Sequence, residues 1–177
     1  ESLKSDPDMR IRVQAIRGQL RFWWRTFQKH QSVKELRERE AAIWGSTRAA
    51  SKVAISVDVT DSNWRTIPYR RNTNQKDTDL PKYIIFPLDN ATDGMQNFEL
   101  LTGGRFNLKM DYHREFESDA ISSLKLWLLF GGLGARTRRG MGSIYSPKWP
   151  VWRNWGEVIQ WLKALALGFD DGAQRPW

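Results

Sequence analysis

The sequence has no cysteine and only two histidines among its 177 residues. Without cysteine the chain can form neither disulfides nor thiolate metal sites, which suits a reducing compartment such as the cytoplasm. No apolar run approaches the ~18 residues that a membrane-spanning helix needs, so we expect no membrane partner. The aspartates are scattered without the spacing of a metal site, so we expect no metal and no cofactor.

Basic and aromatic residues, by contrast, are abundant. Lysine and arginine together number 28 against 20 acidic residues, the net charge is +8, and ten residues are tryptophan. A basic globular protein most often binds nucleic acid. The length suits one domain with an appendage. Where the basic residues cluster should indicate which surface binds the nucleic acid.

Hydrophobic spacing predicts a mixture of helices and strands. Helices are expected from about Gly18 to His30, from the N-cap Ser32 to Gly45, within "EFESDAISSLKLWLLFGG", and from about Trp152 to Leu167. Strands are expected at "KVAISVDVT", "KYIIFPL", "GRFNLKMDY" and "GSIYSP", with a long loop from about Asp61 to Pro81. The third helix should bury an apolar face made of Ala120, Ile121, Leu124, Leu128 and Leu129.

The order of these elements predicts an α+β fold of the ferredoxin-like βαββαβ type. Its first strand is not evident in the polar opening residues, so we expect that residues upstream are missing. We expect a domain over residues 1–147, followed by a Trp-rich helical extension and tail over residues 148–177.

The segment "GGLGARTRRGMG", residues 131–142, combines five glycines with three arginines. It is not a P-loop, because no Lys-Ser or Lys-Thr pair follows the glycines, and Thr137 breaks the dinucleotide fingerprint that Gly132 and Gly134 begin. It also lacks the stacking aromatics of an RNA-recognition strand, where Met141 and Ser143 stand instead. We therefore expect contact with phosphates through backbone N–H groups and arginines. The alternative is a mobile basic hairpin.

The first predicted helix carries a basic stripe of Arg17, Arg21 and Arg25, which recur at i, i+4 and i+8. Three like charges on one face repel one another, so we expect an anionic partner to relieve them. A solvated face is the alternative. Three consecutive aromatic residues, 22–24, cannot all point inward, so one ring should lie at the surface or under another element.

The histidines are the natural candidates for metal-independent RNA cleavage, since a general base near neutral pH is needed. His30 falls at a helix C-terminus, where a cation is stabilising in itself. His113 lies in "MDYHREF", after a predicted strand, and we interpret it as an ordinary loop histidine. No catalytic residues are predicted.

Four motifs, "IRGQLRFWWRTF", "EREAAIWGS", "ASKVAISV" and "GGLGARTRRGMGSI", resemble the RAMP superfamily of CRISPR-associated proteins. Within it they are most similar to the first subunits of Cmr (type III-B) RNA-guided effector complexes. The resemblance implies a ferredoxin-like, RRM-like domain whose glycine-rich loop contacts guide-RNA backbone. It also implies a subunit that caps the complex, helps to engage target RNA and leaves cleavage to another subunit, so that the chain is not an enzyme.

Residue by residue, the resemblance implies RNA-binding positions in the helix, in the turn after the second helix and in the loop. These are Arg17, Gly18, Arg21, Trp24, Arg25, Trp44, Ser46, Gly131, Gly132, Gly134, Arg136, Arg138, Arg139, Gly140 and Gly142. The implied partners are CRISPR guide RNA, target RNA and the other subunits of the effector complex. The usual first strand and second domain of the family are not found here, so the chain is expected to be a fragment or a minimal form.

Two other functions remain open at this point. A metal-independent endoribonuclease of the same superfamily would process guide RNA and depend on His113. A protein-only scaffold would use its basic surface against acidic faces of neighbouring subunits.

Overall fold

A computed structural model describes residues 11–29, 32–61, 65–69, 98–134, 137–147, 149–150 and 152–165, with the backbone alone for 65–69 and 98–102. Its helices are α1 (Val13–Phe27), α2 (Val33–Trp44), α3 (Glu117–Phe130) and α4 (Trp155–Leu165). Its strands are β1 (Val53–Asp61), β2 (Arg65–Tyr69), β3 (Phe98–Thr102) and β4 (Arg105–Tyr112). Short 3₁₀ turns cover Arg114–Phe116 and Thr137–Arg139. The α+β class predicted from the sequence is confirmed.

The strands form two pairs, β1 with β4 and β2 with β3. The second pair is antiparallel, in a register that runs from Arg65 opposite Thr102 to Tyr69 opposite Phe98. β1 and β4 alternate between more and less exposed residues, as their sequences predict. The expectation of an unbroken loop after Asp61 is wrong, because β2 lies in it, and the predicted strand "KYIIFPL" lies outside the described residues.

Contacts divide the chain into two compact units. One comprises Glu1–Ile11 and Val57–Lys109, and the other comprises Arg12–Ser56 and Met110–Trp177. The second unit, which we call the helical unit, contains α1, α2, α3 and α4 and every predicted RNA-binding position. The predicted division between residues 147 and 148 stays a prediction.

The core of the helical unit forms where α1 packs against α3 and α2. From α1 it takes Ile16, Leu20 and Trp24, which follow one another at intervals of four residues and are at most 1% exposed. This stripe explains why α1 begins at Val13 and not at the expected Gly18, since Ile16 belongs to the same buried face. The other elements contribute Ile43, Trp44, Val53, Ala120, Leu126, Trp127 and Val158.

The buried face of α3 differs from the predicted one. Ala120 is buried as expected, but the helix buries Ser122, Ser123, Leu126 and Trp127 instead of the predicted leucines, which are half-buried. The helix is apolar almost all round, so its periodicity does not select a face. Its serines can be buried because a hydroxyl can bond to the helix itself: the Ser123 hydroxyl donates to the Asp119 carbonyl at 2.6 Å.

The ends of α2 follow the sequence signals. The Ser32 hydroxyl accepts the Glu35 N–H at 3.1 Å, as the capping-box pattern predicts, and Gly45 ends the helix with φ of +79°. The predicted last strand "GSIYSP" is wrong, because residues 142–147 form no strand. The backbone of Gly142 turns through φ of +68° and is used to close a loop.

Candidate nucleic-acid interface

The glycine-arginine loop, residues 131–142, lies against α1. The Arg138 guanidinium carbon is 5.9 Å from the ring centroid of Phe22, which lies in the middle of that helix. The two motifs that the sequence singled out, separated by over a hundred positions, therefore meet on one surface.

The two ends of the loop are joined by backbone contacts, and we call residues 131–133 with 141–142 the neck. The Leu133 N–H donates to the Gly142 carbonyl at 2.8 Å, and the buried Trp127 indole N–H donates to the Gly132 carbonyl at 3.0 Å. A Cβ at Gly132 would stand 2.8 Å from the Gly142 oxygen, and one at Gly131 would stand 2.6 Å from the Trp127 oxygen. These three glycines therefore permit the chain to pack against itself.

The remaining glycines belong to the tip, residues 134–140, and serve a different purpose. Gly134 and Gly140 have φ of +96° and +81°, and a Cβ at either would meet nothing within 4 Å. They provide left-handed turns beside open space, where a ligand's backbone could approach. Arg138 and Arg139 lie exposed in the 3₁₀ turn between them, whereas Arg136 lies outside the described residues.

The basic stripe of α1 has an anionic partner within the chain, in the buried side chain of Glu40. Arg25 donates from Nε to Glu40 Oε2 at 2.8 Å and from a terminal nitrogen to Oε1 at 2.6 Å. Arg21 donates from Nε to Oε1 at 2.6 Å. The expectation that the stripe repels itself until an external anion binds is therefore wrong for these two arginines, since a carboxylate from α2 already lies between them.

Burial of Glu40 raises its pKa, but the hydrogen bonds from Arg25 and Arg21 outweigh that effect and leave the pKa below its ordinary value. The same bonds raise the pKa of Arg25, against the opposing effect of burial. Glu40 and Arg25 are thus both charged at neutral pH. The side chains of Arg21 and Arg25 are still 36% and 43% exposed, so both can also contact a ligand.

Arg17 and Gly18 occupy the first half of α1. Arg17 is half-buried, and no described residue pairs with it. Gly18 is exposed, and a Cβ there would meet nothing within 4 Å. A glycine inside a helix costs about 0.5–1 kcal/mol relative to alanine. Neither packing nor a positive φ requires glycine at this position, so nothing in the described structure offsets this loss of helix stability.

Two of the predicted RNA-binding residues, Trp24 and Trp44, are buried in this structure, and their contact with RNA stays a prediction. Trp24 is 1% exposed, and its indole N–H donates to Asp119 Oδ1 at 3.0 Å, where the Gln28 amide also donates at 2.9 Å. Trp44 is equally buried. Both are core residues, because a large indole gains most by leaving water. Ser46 is exposed, but its hydroxyl accepts the Arg48 N–H at 3.2 Å and so stabilises its own turn.

The sequence did not reveal that Glu40 belongs to the site, and it did not show which of the three consecutive aromatic rings lies at the surface. Glu40 precedes the buried Ile43 and Trp44 by one helical turn, so it lies on the apolar face of α2. A lone acid on an apolar face is the signal that could have revealed a buried ion pair. Among the three consecutive aromatics, Phe22 is the ring at the surface, at 41% exposure, which confirms that not all three point inward.

The structure adds little that would favour catalysis. His113 is exposed, and its backbone N–H donates to the Lys52 carbonyl at 3.2 Å, which places the start of β1 beside the end of β4. His30 lies outside the described residues. In the described ranges no three His, Asp or Glu residues come close enough to hold a metal ion, and no helix there is long and apolar enough to cross a membrane.

Comparison with known proteins identifies the relatives of this chain. CRISPR system Cmr subunit Cmr1-1 of Pyrococcus furiosus is 29% identical over 140 residues, which cover 76% of this chain and 40% of that protein. Cmr subunit Cmr1-2 of the same organism is 27% identical over 149 residues, covering 73% of this chain and 79% of it. The apo crystal structure of Cmr1 from Pyrococcus furiosus matches with a TM-score of 0.55 at 25% identity, over 76% of this chain and 41% of that one.

These matches confirm the resemblance to Cmr first subunits and the ferredoxin-like domain that it implied. The chain spans about two fifths of the length of Cmr1-1, as the 40% coverage states. The model of the RAMP superfamily matches residues 1–145, which include α1, the strands and the whole glycine-arginine loop. By this match the chain belongs to the RAMP superfamily.

Proposed function

We propose that the chain is a cytoplasmic, non-catalytic RNA-binding subunit of a CRISPR type III-B (Cmr) effector complex. Its partners are guide RNA, target RNA and sibling subunits of that complex. The relatives named as Cmr subunits support the assembly, and the net charge of +8 supports an RNA partner.

The observation that carries the RNA-binding role is the contact of Arg138 with Phe22, which brings the loop and α1 together. The helix contributes the cationic side chains of Arg17, Arg21 and Arg25, and the loop contributes those of Arg138 and Arg139. Several positive charges on one face attract a phosphate backbone more strongly than the same charges dispersed over the molecule.

The loop tip and the helix contribute to binding in different ways. At the tip, the open space beside Gly134 and Gly140 lets a phosphate come close to the backbone, and the adjacent arginines neutralise it. The Gly140 N–H itself already donates to the Thr137 carbonyl at 3.2 Å. On the helix, Glu40 holds Arg21 and Arg25 in fixed orientations, so less side-chain entropy is lost when RNA binds. We retain Trp24 and Trp44 only as supports of this surface, because both are buried.

The test replaces Arg136, Arg138 and Arg139 with alanine and measures the Kd for single-stranded RNA across a range of salt concentrations. Each lost phosphate contact should reduce the slope of log K against log salt by about 0.7. We expect weaker binding at moderate salt and a shallower slope. Unchanged affinity would show that the loop does not bind RNA.

Arg114→Ala is the control for the single variant Arg138→Ala, since it removes one exposed arginine at the opposite end of α3 from the loop. A helix of that length spans about 21 Å. This variant should therefore bind RNA as the unchanged protein does. If both variants lose affinity equally, the charge effect is general and the loop is not a specific site.

The proposal also predicts that RNA stays intact during binding. Incubation with labelled RNA in chelator tests this, and cleavage that His113→Ala abolishes would favour an endoribonuclease. A protein-only scaffold would be favoured by two results together: generic RNA does not displace the sibling subunits, and the chain alone does not bind RNA.

A further inference from the structure

We propose that Phe22 and Arg138 form a platform on which one unpaired RNA base stacks. This inference rests on the proposed function and adds what the phosphate contacts alone do not supply, a recognition of single-stranded over double-stranded RNA.

The orientation of Phe22 is fixed by its neighbours, although the ring is exposed. Its centroid is 5.2 Å from that of Trp23 at an interplanar angle of 83°, an edge-to-face contact. Trp23 in turn lies 6.1 Å from Phe130. The exposed ring is therefore the outermost member of an aromatic row, and a ring held in place loses little entropy when a base stacks on it.

The space beside the ring is kept free by Gly18. Residues four apart on a helix lie on the same face, so position 18 is one turn before Phe22 on the face that carries its ring. A Cβ at Gly18 would meet nothing within 4 Å. The glycine thus leaves open space on the face of α1 that carries Phe22, and a larger side chain at position 18 would enter that space.

Arg138 supplies the second planar group of the platform, with its guanidinium carbon 5.9 Å from the ring centroid. Single-stranded RNA is recognised by stacking of unpaired bases on aromatic rings and on arginine planes. A nucleotide on Phe22 would also carry a phosphate, and Arg25 lies one turn further along the same face of α1. The base would thus stack on Phe22 and Arg138, and the phosphate of the same nucleotide would face Arg25.

The charges around the ring favour RNA over a protein partner as its occupant. A protein interface of useful strength needs about 1,000 Å² of well-packed surface, far more than one ring provides. The Arg138 guanidinium faces this ring, Arg25 lies one turn further along α1, and Glu40, which binds Arg25, is buried.

The test measures binding of a single-stranded oligouridine of about 12 nucleotides and of a duplex of equal length to the full chain. Phe22→Ala should weaken single-strand binding about ten-fold, leave duplex binding unchanged and leave the salt slope unchanged, because stacking releases no counterions. Phe22→Trp should retain the affinity. A loss of less than about two-fold, or a loss accompanied by a shallower salt slope, would refute the platform.

Gly18→Leu is a second variant, which separates binding from folding. Leucine is the better helix former, so the melting temperature should rise, while its side chain fills the space beside Phe22 and weakens single-strand binding. Unimpaired binding by this variant contradicts the platform. If the unchanged protein binds neither RNA, the proposed function itself fails; if RNA binding persists but Phe22→Ala abolishes only association with sibling subunits, the ring is a protein contact.

Discussion

Lys125 and Arg138 both place a cation against aromatic rings in the helical unit, and the two sites differ in what remains open. Lys125 Nζ lies 5.8 Å, 5.2 Å and 5.3 Å from the ring centroids of Trp149, Trp152 and Trp161. Arg138 faces a single ring that is 41% exposed. An ammonium surrounded by three indoles has little surface left for a ligand. A guanidinium on one exposed ring leaves much of its surface open.

The enclosed site, which we call the tryptophan cage, has a structural role. Lys125 belongs to α3 and Trp161 to α4, and Trp161 also packs on Trp152 at 5.4 Å. The cage thus fastens the Trp-rich helix to the core, where Val158 is 3% exposed. A cation against aromatic rings thus stabilises the fold where the rings enclose it, and leaves surface exposed to solvent where it faces a single open ring.

Trp161→Ala should destabilise the protein most, by about 3 kcal/mol, because it removes a wall of the cage and its packing on Trp152. Urea unfolding measures the loss. Trp155→Ala on the same helix is the control, since Trp155 is 68% exposed and should change stability by less than about 0.5 kcal/mol. RNA affinity should be unaffected in both; a loss of RNA binding in the folded Trp161→Ala protein would remove the distinction between the two sites.

Glu40→Gln should cost about 2 kcal/mol, since it leaves two arginines without their carboxylate. The figure is below that of a fully buried pair because the arginines are 36% and 43% exposed. The lowered pKa of Glu40 means that its contribution to stability is fully present above its ordinary pKa of about 4.5 and is lost as pH falls through the lower folded value. Unfolding at pH 7 and at a pH below that folded value should therefore show a large and then a vanishing difference in stability between the variant and the unchanged protein. A difference that is independent of pH would contradict the ion pair.

Lys125→Met should cost about 1 kcal/mol, because it keeps the stem in the cage and removes only the cation. Lys125→Arg, which restores a cation, should recover part of the loss. Thermal melts measure both. If methionine proves as stable as lysine, the indoles hold the helix by apolar packing alone.

Arg138→Ala should change stability least, by less than about 0.5 kcal/mol, because its side chain is exposed. Its effect should fall on RNA instead, with about a ten-fold weaker Kd. Equal melting curves and unequal RNA titrations would be the expected result. A destabilisation as large as that of the cage variants would mean that Arg138, like Lys125, serves the fold.

The secondary structure was predictable where one face of a helix or strand is buried and the other is exposed to solvent. The alternation of β1 and β4 and the Ser32 cap of α2 are local signals, and the structure confirms them. The face of α3 was not predictable, since leucines surround it and only contact with α1 decides which side is buried. The short strand β2 contains Pro68 and no clear alternation, so nothing local distinguishes it from a loop.

The candidate site shows the same limit. The sequence predicted that the glycine-arginine loop and the arginines of α1 bind RNA, and this stays a prediction. It did not indicate that Glu40 joins Arg21 to Arg25, because that contact depends on how two helices pack. It also could not separate the neck glycines from those of the tip, since the difference is which backbone lies beside each one.

The closed neck of the loop has a consequence for how this surface can vary. Because the Leu133–Gly142 bond and the Trp127 indole hold the two ends together, the segment between them starts and finishes at fixed points. Doubling the length of such a segment costs only about 0.6 kcal/mol in closure entropy. Insertions and exchanged sequences at the tip should therefore be tolerated, and other sequences can be grafted there without redesigning the helices that carry the loop.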